Sequence, residues 1–278
     1  MEYSIMTDIA TPQNHRIVIR VSAGSLSFSK VTAEGVTYEP YALNSSIAIA
    51  ANLREALRTI PMLRQETDRT LVMVDSPTLL VPLNQFPDNQ TEQEELYRHA
   101  FSQTEQKAVL YTVLTDLNSV ALFSLPKDLL TVCNDAFKGV SFMPAVAPVW
   151  HHLHQRSYTG QRQKLYGYFH ERRLEIFSFG QNRFRFCNTF TANNPNDALY
   201  YLLSVWKQLA MTPEHDELHL VGDLPERESL MAEAQKFVKR VFFINPSGEF
   251  NRAPVTQIAG MPYDLMVLFV KGNASRKL

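Results

Sequence analysis

Glycine is scarce in this sequence: 10 of its 278 residues are glycine, about half of the roughly 7 % found in an average protein. The closest two, Gly160 and Gly167, stand seven positions apart. Phosphate-binding loops and nucleophile turns need two glycines within about five positions, because backbone N–H groups must approach a phosphate or a nucleophile must be exposed. The sequence therefore contains no P-loop, no dinucleotide-binding fingerprint and no G-x-S-x-G motif.

Cysteine and long apolar runs are scarce as well. Cys133 and Cys187 stand far apart in apolar stretches, which favours buried thiols over a disulfide framework. No apolar stretch has the length and purity of a membrane span or a signal peptide.

The 27 basic and 28 acidic side chains give a formal net charge of -1 and a sequence pI near 6.7. We therefore expect a cytoplasmic globular protein that binds no membrane and is unlikely to bind nucleic acid.

The length predicts two domains, because typical domains have about 100 to 200 residues. In the first half, His15 to Asp75 predict three antiparallel strands, an amphipathic helix and a buried strand. Gln163 to Gly222 have the same order of elements, and the two stretches have 61 and 60 residues. We expect two α/β domains, residues 1–157 and 158–278, each with a mixed five-stranded sheet flanked by helices.

Local signals predict several boundaries of these elements. Ser45 or Ser46 is expected to cap the helix of the first half, and Asn194 that of the second half. Two hairpin tips of the second half are expected at Glu171-Arg172 and at Gly180-Gln181.

The order of elements and several residue patterns resemble a known family. Three antiparallel strands, a helix and a parallel strand, occurring twice, resemble the duplicated ribonuclease-H-like layout of the actin-like ATPase superfamily. Four segments sharpen this to an uncharacterised bacterial family of unknown function with an actin-like ATPase fold: Thr78-Leu79-Leu80-Val81-Pro82, Glu95-Leu96-Tyr97, Phe184-x-Phe186-x-Asn188-x-Phe190 and Asp197-Ala198-Leu199-Tyr200-Tyr201-Leu202-Leu203. These segments have the composition of packing residues, so the resemblance implies a fold and no chemistry.

The resemblance also implies where a nucleotide site would lie. ATP-binding members of the superfamily have an Asp-x-Gly turn after the first strand of each half, where the Asp holds metal-bound water and the Gly admits phosphate. This sequence has Arg20-Val21-Ser22-Ala23-Gly24 in the first half and His170-Glu171-Arg172-Arg173 in the second. The Gly-Gly pair of the adenosine side is reduced to Gly222-Asp223. We therefore expect no ATP hydrolysis, no cofactor and no metal.

Asp75 and Asp223 each follow a buried strand, at the carboxyl edge where open α/β sheets bind ligands. Two interpretations stay open. In one, both carboxylates face an interlobe cleft and serve a ligand-binding protein or an enzyme; in the other, each caps a following turn or helix. The residues of this candidate cleft are Arg20, Ser22, Asp75, His170, Gly222 and Asp223.

A cluster of histidines, His151, His152 and His154, follows Trp150. Two of them have the spacing of zinc ligands, but no cysteine or acidic residue stands nearby in the sequence. We interpret the cluster as the polar face of an interdomain helix.

A basic stretch with interleaved aromatics runs through the second half. Between Arg156 and Arg185 there are seven basic and two acidic side chains. Such a stretch binds single-stranded nucleic acid or an acidic protein surface in some proteins. Strict alternation of arginine and phenylalanine favours a solvated sheet face first, an acidic protein partner next and nucleic acid last. The candidate basic surface comprises Arg172, Arg173, Arg183 and Arg185.

These observations together predict a non-catalytic module that binds a protein partner or acts as a scaffold. A homodimer is one candidate for that partnership.

Overall fold

The computed structural model describes residues 17–32, 35–64, 69–102, 105–158 and 160–274. The strand predicted from His15 therefore has its first two positions outside the described residues. The chain divides into two compact units, Met1–Pro148 together with Ile258–Leu278, and Val149–Gln257. The division expected from the sequence, 1–157 and 158–278, places the C-terminal residues in the second half. In the structure, Ile258–Leu278 are grouped with the first unit.

The first unit has a main sheet, two helices beside it and an inserted smaller sheet. Its elements up to the unit boundary are β1 (Ile17–Val21), β2 (Leu26–Thr32), β3 (Gly35–Tyr41), α1 (Ile49–Thr59), β4 (Thr70–Val74), β5 (Leu79–Pro82), α2 (Gln90–Ala100), β6 (Lys107–Leu114), β7 (Ser119–Pro126), α3 (Lys127–Ala136) and β8 (Val140–Pro144). The main sheet has the strand order β3-β2-β1-β4-β8. β1 is antiparallel to β2 and parallel to β4, so the sheet is mixed.

One apolar core cluster of the first unit lies on one face of this sheet, although β1 is buried on both faces. Ile17, Ile19 and Val21 of β1 pack there with residues of α1 and α3, including Leu53 and Leu129. Because side chains alternate between the faces of a strand, the residues between them point to the opposite face. Arg20 is one of these residues.

The insertion forms its own three-stranded antiparallel sheet, in the order β5-β7-β6. Tyr97 of α2 packs on it together with Val109 and Leu122. The Tyr97 hydroxyl donates to the carbonyl oxygen of Pro77 at 2.6 Å. Two of the segments that carry the family resemblance, around Thr78 and around Leu96, therefore build this packing.

The second unit repeats the main sheet of the first without the insertion. Its elements are α4 (Ala147–Ser157), within which the unit begins, β9 (Lys164–His170), β10 (Arg173–Gly180), β11 (Arg183–Thr191), α5 (Pro195–Gln208), β12 (Glu217–Gly222), α6 (Arg227–Gln235), β13 (Val241–Phe243) and α7 (Pro246–Glu249). The strand order is β11-β10-β9-β12-β13, which has the same pattern as the order in the first unit. The prediction of two domains with mixed five-stranded sheets is confirmed.

Backbone hydrogen bonds align the two repeats residue by residue. The N–H of Asp75 donates to the carbonyl of Val21 at 2.8 Å, and the N–H of Asp223 donates to the carbonyl of Phe169 at 2.9 Å. Asp75 and Asp223 therefore occupy equivalent positions, each one residue beyond the parallel strand beside the first strand of its unit.

The last helix, α8 (Tyr263–Ala274), belongs to the first unit. Its described core positions include Leu265 and Leu268, both buried. Among the described residues, no helix combines the length and hydropathy of a membrane span.

The predicted boundaries have mixed outcomes. Asn194 caps α5 as predicted, since its Oδ1 accepts from the N–H of Asp197 at 2.9 Å. The prediction of a serine cap on α1 is wrong, because the cap residue is Ala48. There the Asn52 amide holds the preceding loop instead, donating to the carbonyls of Asn44 and Ala48.

The hairpin tips of the second unit were predicted to within one residue. The tip at Glu171-Arg172 is confirmed by the pairing of Arg173 with His170. The next tip lies one position later than predicted, since Gly180 pairs with Arg183. Gly180 is thus the last residue of a strand and not part of the turn.

Candidate functional site

Arg20 lies at the centre of a buried charge cluster in the first unit. It is 1 % exposed, and its Nε donates to Oδ1 and Oδ2 of Asp264 at 3.1 and 2.9 Å. Its Nη1 donates to the Ser25 hydroxyl at 3.3 Å. On the other side, its Nη2 lies 4.0 Å from Oδ2 of Asp75. One buried guanidinium therefore stands between two carboxylates.

Asp264 is the partner that the sequence analysis missed. It lies in the first turn of α8 and is fully buried. Its Oδ1 accepts from the N–H of Leu265 at 2.7 Å, and the first turn of a helix favours a negative charge. The ion pair with Arg20 links α8 to β1, which explains why the C-terminal residues belong to the first unit.

The turn after β1 uses its serines internally. The hydroxyl of Ser22 accepts from the N–H groups of Gly24 at 3.2 Å and Ser25 at 2.8 Å. The N–H of Ser22 in turn donates to the carbonyl of Ser25 at 2.9 Å. Ser22, a member of the candidate cleft, thus closes a tight turn.

The equivalent turn in the second unit presents different chemistry. His170 is buried, stacks on Tyr168 with ring centroids 4.7 Å apart and lies 3.8 Å from the Glu175 carboxylate. Glu171 and Arg172 form the exposed tip, with φ angles of 46° and 64°. The histidine therefore points into the unit, while the two charged tip residues face solvent.

Gly222 and Asp223 border an open groove at the carboxyl end of β12. The groove has a volume of about 660 Å³. Arg227, at the start of α6, covers the ring of Phe243 there, with its guanidinium carbon 4.9 Å from the ring centroid. Gly222 has a φ of +94°, and a Cβ on it would lie 2.0 Å from the carbonyl oxygen of Phe169. The close approach of the two strands therefore requires this glycine, whatever the groove binds.

The structure separates the four arginines of the candidate basic surface into two pairs. Arg173 pairs with Thr191 at one end of the β10–β11 hairpin, and Arg183 pairs with Gly180 at the other. The eight residues of β10 span roughly 25 Å at the rise of an extended strand. Arg172 and Arg173 therefore lie at one end of the sheet, and Arg183 and Arg185 at the other.

The histidines of α4 have partners within the second unit. Nε2 of His152 lies 2.9 Å from Oε1 of Glu249, which also pairs with Arg156. Nε2 of His154 lies 2.9 Å from the hydroxyl of Tyr158. Within the described part of the chain, no group of three or more His, Cys, Asp or Glu side chains has the geometry of a metal site. The cluster thus serves packing and hydrogen bonding in this unit.

The duplicated sheet order defines the class of the protein. It is an α/β protein with the two-domain, ribonuclease-H-like architecture of actin-like ATPases. A protein with an actin-like ATPase fold and unknown function from Bacteroides thetaiotaomicron is similar with a TM-score of 0.76 and 28 % identity, over 87 % of this chain and 95 % of that one. A chain of the PilM-PilN type IV pilus biogenesis complex shares the fold, with a TM-score of 0.56 and 12 % identity over 93 % and 98 % of the two chains.

The family follows from the sequence itself. The chain belongs to the protein family of unknown function DUF3822, whose model matches residues 6–241. Among curated proteins, none is significantly similar in sequence. The resemblance stated from the four sequence segments is confirmed.

Proposed function

We propose that this protein is a pseudo-ATPase: a non-catalytic, protein-binding or scaffold module of actin-like fold, whose nucleotide site has degenerated. The observation that carries the proposal is the position of Arg20 between Asp75 and Asp264. A cytoplasmic location in a bacterium belongs to the same proposal.

Phosphoryl transfer needs a metal ion that neutralises the charge developing on the phosphates. In the first unit, the carboxylate of Asp75 has the guanidinium of Arg20 beside it, 4.0 Å away. A fixed cation of the protein thus occupies the surroundings in which a carboxylate would hold hydrated magnesium. This arrangement argues against binding of a magnesium–nucleotide complex.

Arg20 is equally poorly suited to hold a phosphate by itself. Its Nε donates to both oxygens of Asp264. The carboxylates of Asp264 and Asp75 have the same sign of charge as a phosphate. An incoming anion would have to displace Asp264 and would be repelled by Asp75. The charge of Arg20 is therefore used within the protein.

Recognition of a protein is one function that such a fold can serve without a nucleotide site. The PilM-PilN complex, which shares the fold, is named as an assembly of two proteins of type IV pilus biogenesis. Folds carry many functions, so this likeness supports a binding role by analogy. It names no partner for the present chain.

The proposal is tested by measuring phosphate release from ATP with magnesium. We expect the wild-type protein to release phosphate at the rate of buffer alone. Release above buffer that disappears in the Asp75→Asn variant would contradict the proposal, because it would assign a catalytic role to that carboxylate.

A second candidate function is supported by the groove beside Asp223. Its volume of about 660 Å³ lies within the range of small-molecule sites, roughly 300 to 1,000 Å³. In this alternative, the protein binds a ligand or acts as an enzyme through Asp75 and Asp223. The variants Asp75→Asn and Asp223→Asn distinguish the two functions, since a scaffold should bind its partner equally well with either change.

A further inference from the structure

One end of the sheet in the second unit joins residues that are distant in the sequence. It is the end where β9 begins, β10 ends and β11 begins. The Tyr158 hydroxyl donates to Oδ1 of Asn182. Nη1 of Arg185 donates to Oε1 of Gln163, and its Nη2 donates to the carbonyl of Leu209 at 3.4 Å. These bonds connect the loop before β9, the β10–β11 tip and the end of α5 into one surface. We call it the amino-end surface; it consists of Tyr158, Arg162, Arg183, Arg185 and Lys207.

Two acidic residues near this surface, Asp216 and Glu217, are engaged internally. Asp216 is buried, and its carboxylate accepts from the N–H groups of Thr212 at 2.6 Å and Gln163 at 3.3 Å. Glu217 lies 3.0 Å from Nε2 of His219 and 3.5 Å from Nη1 of Arg162. These carboxylates are therefore turned away from solvent or already paired.

The basic side chains, in contrast, face outward. Arg183 and Lys207 are exposed, and neither side chain has a hydrogen bond or ion pair with any residue that the structure describes. The side chain of Arg162 is 49 % exposed. Arg183 and Lys207 thus contribute two positive charges to the amino-end surface that no described carboxylate pairs with.

Arg185 is held in place before any partner arrives. A Cβ on Gly180 would lie 2.9 Å from Cδ of Arg185, so the aliphatic stem of the arginine packs directly on the glycine. Its two hydrogen bonds use two of the five N–H donors of a guanidinium. A side chain that is already ordered loses less conformational entropy on binding. The N–H donors of Arg185 that are not used within the protein can donate to a carboxylate.

We propose that the amino-end surface binds an acidic peptide segment of a protein partner. Arg183, Arg185 and Lys207 pair with its carboxylates, and the ring of Tyr158, which is 58 % exposed, packs against one of its apolar side chains. Tyrosine and arginine side by side are the residue types enriched at protein interfaces. The inference rests on the proposed protein-binding function and names the chemistry of the partner.

The arrangement of charges favours a peptide over a nucleic acid. Single-stranded nucleic acid needs a groove of cations that follows the backbone over several phosphates. Here the second arginine pair, Arg172 and Arg173, lies at the opposite end of β10. The four arginines of the candidate basic surface therefore form two separate pairs and no continuous track along this hairpin.

The two tips of β10 provide a matched pair of variants. Arg183→Glu reverses a charge on the amino-end surface, and Arg172→Glu reverses one at the opposite tip. Both arginines are exposed, and both substitutions change the net charge equally. The probe is a fluorescein-labelled, glutamate-rich peptide containing one phenylalanine, titrated with the full chain and followed by fluorescence anisotropy.

We expect Arg183→Glu to weaken binding by about tenfold or more, and Arg172→Glu by less than about twofold. Lys207→Glu, on a different element, should weaken binding like Arg183→Glu. Equal weakening by the two arginine variants would overturn the inference, as would no binding of the peptide at low salt. Tighter binding of an oligo-dT of equal charge would overturn it in favour of nucleic acid. Peptide binding and phosphate release from ATP are separate measurements, so failure of this inference can be told apart from failure of the proposed function.

Discussion

The Nε of Arg20 donates to both carboxylate oxygens of Asp264, although the two residues stand 244 positions apart in the chain. The pair joins the first strand of the first unit to its last helix. It also places a neutralised guanidinium beside Asp75, which occupies the same position in its repeat as Asp223 does in the other. A structural ion pair thus stands at the end of the first strand, where actin-like ATPases begin their phosphate site.

Breaking this pair from one side should destabilise the protein strongly. Asp264→Asn leaves the buried guanidinium of Arg20 without its main countercharge, so we expect the free energy of unfolding to fall by about 3–5 kcal/mol. Replacing all three charges, as Arg20→Met with Asp264→Leu and Asp75→Asn, should recover part of this loss, because no buried charge is then left without a partner. Urea denaturation of the two variants measures both effects.

The pair of Arg98 and Glu94, whose side chains are 49 % and 28 % exposed, provides the control. These side chains lie one helical turn apart on α2, and such pairs contribute only about 0.3–0.5 kcal/mol. Glu94→Gln should therefore change the free energy of unfolding by less than about 0.5 kcal/mol. An Asp264→Asn variant as stable as Glu94→Gln would contradict the structural role of the ion pair.

The fold was predictable because its signals are local. The run IVIRV, apolar except for Arg20, marks β1, and the Asn194-Pro195 start marks α5. Two repeats of nearly equal length are therefore visible from the order of elements. The separate sheet β5-β7-β6 was harder to predict, since β5 is a four-residue strand whose partner β7 follows much later in the chain. Short strands have too few positions for periodicity to define their sheet.

The candidate site was less predictable because its contacts are tertiary. Arg20 is the single charge in the apolar strand IVIRV, and Asp264 is the single charge in the apolar run YDLMVLFV. Two isolated opposite charges in buried elements should pair, since a buried charge needs a partner. The two isolated charges are visible in the sequence. The sequence alone does not say which basic side chain pairs with which acidic one. The split of the basic surface likewise depends on the register of β10, which only the sheet reveals.

Gly222 should tolerate no side chain. Its φ of +94° and the 2.0 Å approach of a Cβ to the carbonyl oxygen of Phe169 combine backbone strain with a clash against backbone. We expect Gly222→Ala to lower the free energy of unfolding by about 2 kcal/mol or more. The control is Gly248→Ala in α7, where a Cβ would meet nothing within 4 Å and alanine favours a helix. Thermal unfolding of both variants should show a large loss only for Gly222→Ala, and equal melting temperatures would contradict the prediction.

The stability of the second unit should depend on pH through His219. Burial lowers the pKa of His219 below its usual value, and its hydrogen bond to Glu217 offsets this only in part. The unfolded chain then binds a proton at a higher pH than the folded one, so stability is lost as pH falls through about 6.5 towards the folded pKa. The loss from this one group is at most about 1.4 kcal/mol per pH unit.

His219→Phe tests this dependence. The phenyl ring preserves the stacking on Phe242, whose ring centroid lies 5.0 Å from that of His219, but it cannot take up a proton. We expect a smaller loss of stability between pH 7 and about pH 5.5 than in the wild type, measured by urea denaturation. His215→Phe, at an exposed position, is the control and should keep the wild-type slope. Parallel slopes for wild type and His219→Phe would show that this histidine does not contribute.

The central claim is that the surroundings of Arg20 no longer accept a nucleotide with its magnesium. Isothermal titration of the full chain with Mg-ATP tests it most directly. We expect no saturable heat at ATP concentrations up to the millimolar range, because Asp75 and Asp264 already neutralise Arg20. Saturable binding with micromolar affinity that is lost in Asp75→Asn would contradict the account.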